Sequence, residues 1–285
     1  MNKQNAAFLS IISNSFLIIF KIIAGTLMCS ISVISEAAHS AIDLVASLVA
    51  YVAIKKAVQP ADAQHPFGHG KFENVSGFFE AMLILFAAGI IVYESVQKLF
   101  HPMHVEQLNW GIAVMATSTL VNLLVSQMLF RISKKTGSVA LDADAMHLSV
   151  DVFTSLSVVV GLVLIKITHW YILDPIIAIG VAGLICKASI DLVKKTLRDL
   201  VDEQLPEHEI HIIKTIISSE SAVLAYHKLR TRKCGHVREI DIHVVIAKNM
   251  ELEKVHALCT SIETRIKKEF PESNITIHAE PDENA

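Results

Sequence analysis

Six stretches of this chain are long and apolar enough to cross a bilayer, and no other feature limits its fold so strongly. A helix needs about 20 mainly apolar residues to span the hydrocarbon core. The runs are Ala6 to Cys29, Ser32 to Ala57, Val75 to Phe100, Trp110 to Ile132, Val139 to Ile167 and Asp174 to Leu197. Between them lie helix-ending groups: Gln59-Pro60, His101-Pro102, Lys134-Lys135-Thr136-Gly137 and Asp174-Pro175. With 52% hydrophobic and 19% charged residues and a mean hydropathy of +0.49, the 285-residue chain falls outside the usual range of a soluble domain. The first run is too long for a cleaved signal peptide and no small-x-small site follows it, so it reads as a retained helix. Lys21 inside that run must face protein or snorkel toward an interface.

An even number of spans puts both ends on one side. Lys55, Lys56, Lys71, Arg131, Lys134, Lys135, Lys194, Lys195 and Arg198 fall on that side, while the loop from His101 to Asn109 has no Lys or Arg. The positive-inside rule therefore expects both termini in the cytoplasm, with the chain multi-pass in the cytoplasmic (inner) membrane. Near Leu205-Pro206 the composition turns ordinary, which divides the chain into a transmembrane part, 1–204, and a cytoplasmic C-terminal part, 205–285.

Two spans carry ionisable residues in a repeated pattern. The second has His39 and Asp43, the fifth His147 and Asp151, each as H-x-x-x-D. Residues four apart share a helix face. Two such faces turned toward each other supply two nitrogens and two oxygens, a tetrahedral set suited to Zn²⁺. The competing reading is structural polar groups. An Asp at a span's centre costs about 2.5–3.5 kcal/mol, however, and two carboxylates with two imidazoles at similar depth are hard to explain that way. Glu36, one turn before His39, is a further ligand, an outer base or an entry group. Asp142 and Asp144 read as acids favoured by the helix dipole at the start of the fifth span.

Between spans two and three, Asp62, His65 and His69 are bent together by Pro66 and Gly68. This is either a small cytoplasmic metal cage or a solvated loop with incidental histidines. The cysteines, Cys29, Cys186, Cys234 and Cys259, form no C-x-x-C pair and no disulfide framework. A net charge of −3 gives no sign of nucleic-acid binding. No H-E-x-x-H string supports a membrane metalloprotease, and nothing marks the chain as an enzyme. In the tail, Glu207 to Ser219 and Glu251 to Phe270 have helical spacing. Ala222 to Arg232, His236 to Ile246 and Asn274 to His278 alternate like strands. That α-β-β-α-β order predicts a small α+β layer of two helices on three strands.

Six spans, the paired H-x-x-x-D motifs and the string His65-Pro66-Phe67-Gly68-His69-Gly70-Lys71-Phe72-Glu73 together resemble the cation diffusion facilitators, over nearly the whole chain. The resemblance implies a six-helix membrane domain with a metallochaperone-like tail. It implies a homodimer exporting a divalent metal in exchange for protons. His39, Asp43, His147 and Asp151 would form the transport site and Asp62, His65 and His69 a loop site. His227, His243, His278 and Glu280 would form a cytoplasmic site, where members commonly have Asp in place of Glu280. Lys71 would pair with Asp202 across the dimer. His39 matches the zinc-selective branch, some bacterial members having Asp there. His208, His211 and His236 read as surface residues, and His256 has no assigned role.

Two ionised Asp and two neutral His balance Zn²⁺, whereas an empty doubly anionic site is costly in a membrane. Protons are thus expected to replace the departing metal. Zinc is the expected cargo and also a regulatory or structural ion. Protons and the lipid bilayer are the other partners, and no catalytic cofactor is expected. The alternatives are a membrane-anchored metal sensor without transport, or efflux of iron, cobalt, cadmium or manganese.

Overall fold

The computed structural model describes residues 2–27, 31–100, 109–168, 170 and 172–282. Contacts divide the chain into two bodies, Met1–Pro60 with Phe72–Leu197, and Ala61–Lys71 with Arg198–Ala285. The His101 to Asn109 loop and Cys29 fall outside the described residues, apart from Asn109, and so does the side chain of Glu36.

The first body contains six long helices: α1 (Lys3–Leu27), α2 (Ile31–Ala57), α3 (Lys71–Phe100), α4 (Asn109–Thr136), α5 (Val139–Thr168) and α6 (Leu173–Leu200). Most overrun the apolar stretch that marks them, because helix hydrogen bonding continues into polar ends after hydropathy falls. Among the described residues, three helical segments are long and apolar enough to cross a membrane: Lys3–Leu27, Lys71–Gln97 and Pro175–Leu200. Phe8, Phe16, Ile19, Phe79 and Phe86 stand exposed along α1 and α3. An apolar surface of this kind belongs against lipid or protein.

Small residues let these helices approach closely. Ala6 and Ala7 of α1 and Ala140 and Ala145 of α5 pack with Ile54 of α2 and Leu129 of α4. On its other side α5 sets Ala143 and Val150 against Ala81 and Ile84 of α3 and Ile185 and Leu192 of α6. Polar links cross between the same helices. Ser10 and Asn14 of α1 reach Ser47 of α2 at 3.1 and 2.9 Å, and Ser126 of α4 meets Ser149 of α5 at 2.7 Å. Lys21 donates to Ser40 at 2.8 Å, which is how a cation is kept inside α1. The α4–α5 corner is built locally. Gly137 takes a left-handed turn at φ 64°, and the Ser138 hydroxyl caps α5 by accepting the Leu141 N–H at 3.4 Å.

The second body is α7 (Glu207–Ser218), β1 (Ala225–Cys234), β2 (Val237–Ile246), α8 (Leu252–Glu269) and β3 (Ser273–Pro281). The sheet order is β1-β2-β3, with β1 antiparallel and β3 parallel to β2. Alternation along β2 buries Ile240, Ile242, Val244 and Ile246. They pack with Ile210, Ile213 and Ile217 of α7 and Leu258, Ile262 and Ile266 of α8. Asp241 and His243 alternate with them and take the other face. Acidic Glu207 and Glu209 open α7, and basic Lys267 and Lys268 close α8, each suiting the helix dipole. Arg238 grips Glu209 through two bonds of 2.7 and 2.8 Å, which holds that carboxyl below its usual range. Ile242→Ala should cost this core about 2–5 kcal/mol. Hydrogen exchange of β2 amides in the full-length protein measures it, and unchanged protection would remove Ile242 from the core.

Candidate metal site

Asp43 and His147 are buried within the first body, Asp151 is partly buried, and His39 is half exposed. Helical spacing places Ser40, Asp43 and Ser47 on one stripe of α2, and Asp144, His147 and Asp151 on one stripe of α5. The His147 Nε2 atom lies 2.9 Å from Asp43 Oδ1, and His39 Nε2 lies 4.0 Å from both Asp43 Oδ1 and Asp151 Oδ1. Ligand atoms of His39, Asp43 and Asp151 all lie within 4.8 Å of one another. Metal bonds of about 2.0–2.1 Å set tetrahedral ligand atoms about 3.4 Å apart. To take a metal, His39 would need to close on each carboxylate by roughly half an ångström, and the His147–Asp43 hydrogen bond would give way to it. Asn122 of α4 donates to Asp151 Oδ2 at 3.4 Å and orients that carboxylate from outside.

Asp144 departs from its expected place. It is 1% exposed and accepts a bond of 3.0 Å from Ser47, so it is an interior acid and not a solvated charge at a helix start. The reason lies in periodicity: Asp144 shares the His147 stripe, whereas Asp142 points aside and pairs with Lys195 at 2.7 Å. Glu80 of α3, also 1% exposed, escaped the sequence reading. The signal was available as an acid early in the Val75 to Phe100 run, well before Glu94 near its far end. Ser47 and Asn122 carry no comparable signal, because neither side chain is ionisable.

In the second body the loop residues are brought together. Asp62 Oδ1 accepts the backbone N–H groups of His65 at 2.7 Å and Gln64 at 2.9 Å, and these bonds hold its carboxyl below the usual range. His65 Nδ1 is 3.2 Å and His69 Nε2 3.4 Å from the same carboxylate. The loop rests on the β1–β2 turn. Arg232 covers the Phe67 ring at 4.6 Å, the Cys234 thiol donates to the Phe67 carbonyl at 3.3 Å, and Gly70 meets Gly235 backbone to backbone. Lys71 reaches Asp202 at 2.7 Å, and Arg232 shares the same carboxylate at 3.1 Å.

On the sheet, His227, His243 and His278 occupy one register across β1, β2 and β3. A bulge follows His227, with Lys228 at φ 51°. Glu280 is gripped by His243 at 2.7 Å and His227 at 3.1 Å, and the His243 bond keeps its carboxyl below the usual range. His278 stands farther off, at 3.6 Å from Glu280, with its ring 4.7 Å from that of His243. His208, His211 and His256 are exposed and His236 is half buried, none of them among these clusters.

A long-helix body with buried His/Asp sets and a small metal-competent α+β body define a membrane cation carrier. Residues 7–201 match the family model for the cation efflux transmembrane domain, and residues 205–282 match that for the cation efflux protein cytoplasmic domain. The chain belongs to the cation diffusion facilitator family of cation efflux transporters. It is similar to an uncharacterized transporter of Synechocystis sp., 36% identical over 253 residues, covering 88% of this chain and 82% of that one. To the cation-efflux pump FieF of Shewanella oneidensis it is 29% identical over 265 residues, 93% of this chain and 89% of that one. A solved metal-bound C-terminal domain of the CzcD transporter from Thermotoga maritima is 22% identical with a TM-score of 0.26, covering 28% of this chain and 99% of that one.

Proposed function

We propose that the chain exports zinc from the cytoplasm as a homodimer, in exchange for protons moving inward. One observation carries this reading: His39 and Asp43 from α2 converge with His147 and Asp151 from α5. Two nitrogens and two carboxylate oxygens suit four-coordinate Zn²⁺, while Mn²⁺ favours more oxygens in octahedral geometry. In this reading all six long helices cross the cytoplasmic membrane. Both termini face the cytoplasm, following the distribution of Lys and Arg. Asp62, His65 and His69, and His227, His243, His278 and Glu280, are cytoplasmic metal sites that regulate or steady the carrier.

Charge balance supplies the coupling. A zinc-loaded quartet is formally neutral, and an emptied one holds two carboxylates that a low-dielectric interior penalises unless protons arrive. In zinc-loaded proteoliposomes an imposed proton gradient should accelerate zinc movement, and zinc movement should shift the lumenal pH in the opposite sense. Zinc flux with no pH change in unbuffered vesicles would count against antiport.

A further inference from the structure

One acid in α3 stands apart from each of the sites above. Glu80 is 1% exposed, and neither carboxylate oxygen has a hydrogen-bond partner. Its depth follows from helix geometry. Glu73, at the start of α3, bonds Ser138 at the start of α5 and Lys3 of α1 at 2.6 Å, so α3 and α5 run parallel from a common level. Glu80 lies seven residues beyond Glu73, about 10.5 Å at 1.5 Å per residue. Asp144 then lies at about 9 Å, His147 at about 13.5 Å and Asp151 at about 19.5 Å. Glu80 is therefore level with the gap between Asp144 and His147, on the Glu73 side of the quartet.

The charged groups whose fields reach Glu80 are Asp144 and His147 of α5. Toward this part of α3, α6 turns Ile185, Leu192 and Ser189, the last donating to the Ala81 carbonyl at 2.5 Å; its Lys187 and Asp191 are exposed. Among the described residues no hydrogen bond or ion pair joins Glu80 to a ligand of the quartet. Among the described residues no ion pair and no hydrogen-bond donor fixes the acid. A carboxyl in that setting is tolerated in its neutral form and can part with a proton only when a positive charge is close. Asp144 differs, because Ser47 holds one of its oxygens.

Resting on the antiport reading above, we propose that Glu80 carries the proton between the transport quartet and the cytoplasmic ends of α3 and α5. When a cation enters the quartet, its charge lets the neutral Glu80 carboxyl give up its proton past Glu73 and Ser138, leaving a carboxylate. The proton that the cation displaces then passes to that carboxylate and re-forms the O–H bond. One proton is taken and one released, so Glu80 ends the step as it began and alters the route, not the ratio.

Glu80→Gln keeps the shape of the neutral carboxyl and cannot carry a proton. Three readouts on the full-length protein in proteoliposomes test it: zinc–proton antiport, zinc–zinc exchange without net proton movement, and equilibrium zinc binding. E80Q should slow antiport by about tenfold or more, the scale of a lost proton-transfer group. Exchange and binding should stay within about twofold, and Glu80→Asp, which keeps an acid, should recover much of the antiport. Parent-like antiport in E80Q would overturn the proposal, as would antiport and exchange falling together. A parent that moves zinc with no protons would instead bring down the antiport reading, and this inference with it. Should E80Q fail to fold, the unsubstituted protein decides. An apolar carbodiimide, which attacks buried protonated carboxyls, should attach at Glu80 and slow antiport before exchange. Absence of that adduct in peptide mapping would overturn the assignment.

Discussion

Asp43→Ala is expected to lower zinc flux into proteoliposomes by about a hundredfold or more while the variant still folds and dimerises. Loss of an outer partner of a metal ligand commonly costs 10–100-fold, and Asp43 is placed to be a ligand itself. It is also the hub of the site, 2.9 Å from His147 and 4.0 Å from His39, on a side chain that is only 6% exposed. Removing it leaves one carboxylate against a doubly charged ion, and a net charge at membrane depth that nothing balances. Asp43→Asn separates shape from charge: it fills the same space, and should be as inactive if charge is what matters. Stopped-flow zinc uptake, with thermal unfolding as the control for folding, is the measurement. Full flux in purified Asp43→Ala would remove the quartet as the transport site.

The second large effect is expected at Gly235→Val. Gly235 has φ +64°, where a side chain costs about 1–3 kcal/mol, and a β-branched one is worst placed. A Cβ there would also lie 2.8 Å from the Gly70 Cα and 2.9 Å from its carbonyl oxygen. Backbone on both sides leaves no flexible atom to move, so the 61–71 loop must lift off the β1–β2 turn. With it go the Phe67 stack on Arg232 and the Cys234 bond. Hydrogen exchange over the loop should accelerate by about tenfold or more, the equivalent of 1.4 kcal/mol or more in local opening. Metal affinity at Asp62, His65 and His69 should fall with it. Exchange unchanged across residues 61–71 would mean that the glycine pair does not seat the loop.

Much of this architecture was legible in the sequence because hydropathy and period-two alternation are local signals. The six helical runs, the order of the tail elements and the two H-x-x-x-D faces can all be read that way. What stayed hidden depends on which residues meet across space. Asp144 looked like an ordinary helix-start acid until its stripe was seen to face Ser47 of α2. Glu80 was swallowed by the apolar residues around it, since an average over a run hides isolated charges. The seating of the loop on the β1–β2 turn needs two glycines some 165 positions apart in the chain, Gly70 and Gly235, and neither predicts the other. Lys71 and Asp202 were legible as a pair from the resemblance, and their side chains meet at 2.7 Å.

The three histidines at one register of the tail sheet lie far apart along the chain, one on each strand. An ion held there with Glu280 is available only to the assembled sheet, since unfolding scatters its donors. Binding of this kind adds about 1.4 kcal/mol to the folded state for each tenfold rise in free ion above the dissociation constant. With such a site filled, the tail would work as a gauge. Its resistance to melting would follow the logarithm of the ion concentration around it, so that scarcity and plenty would register as different degrees of firmness.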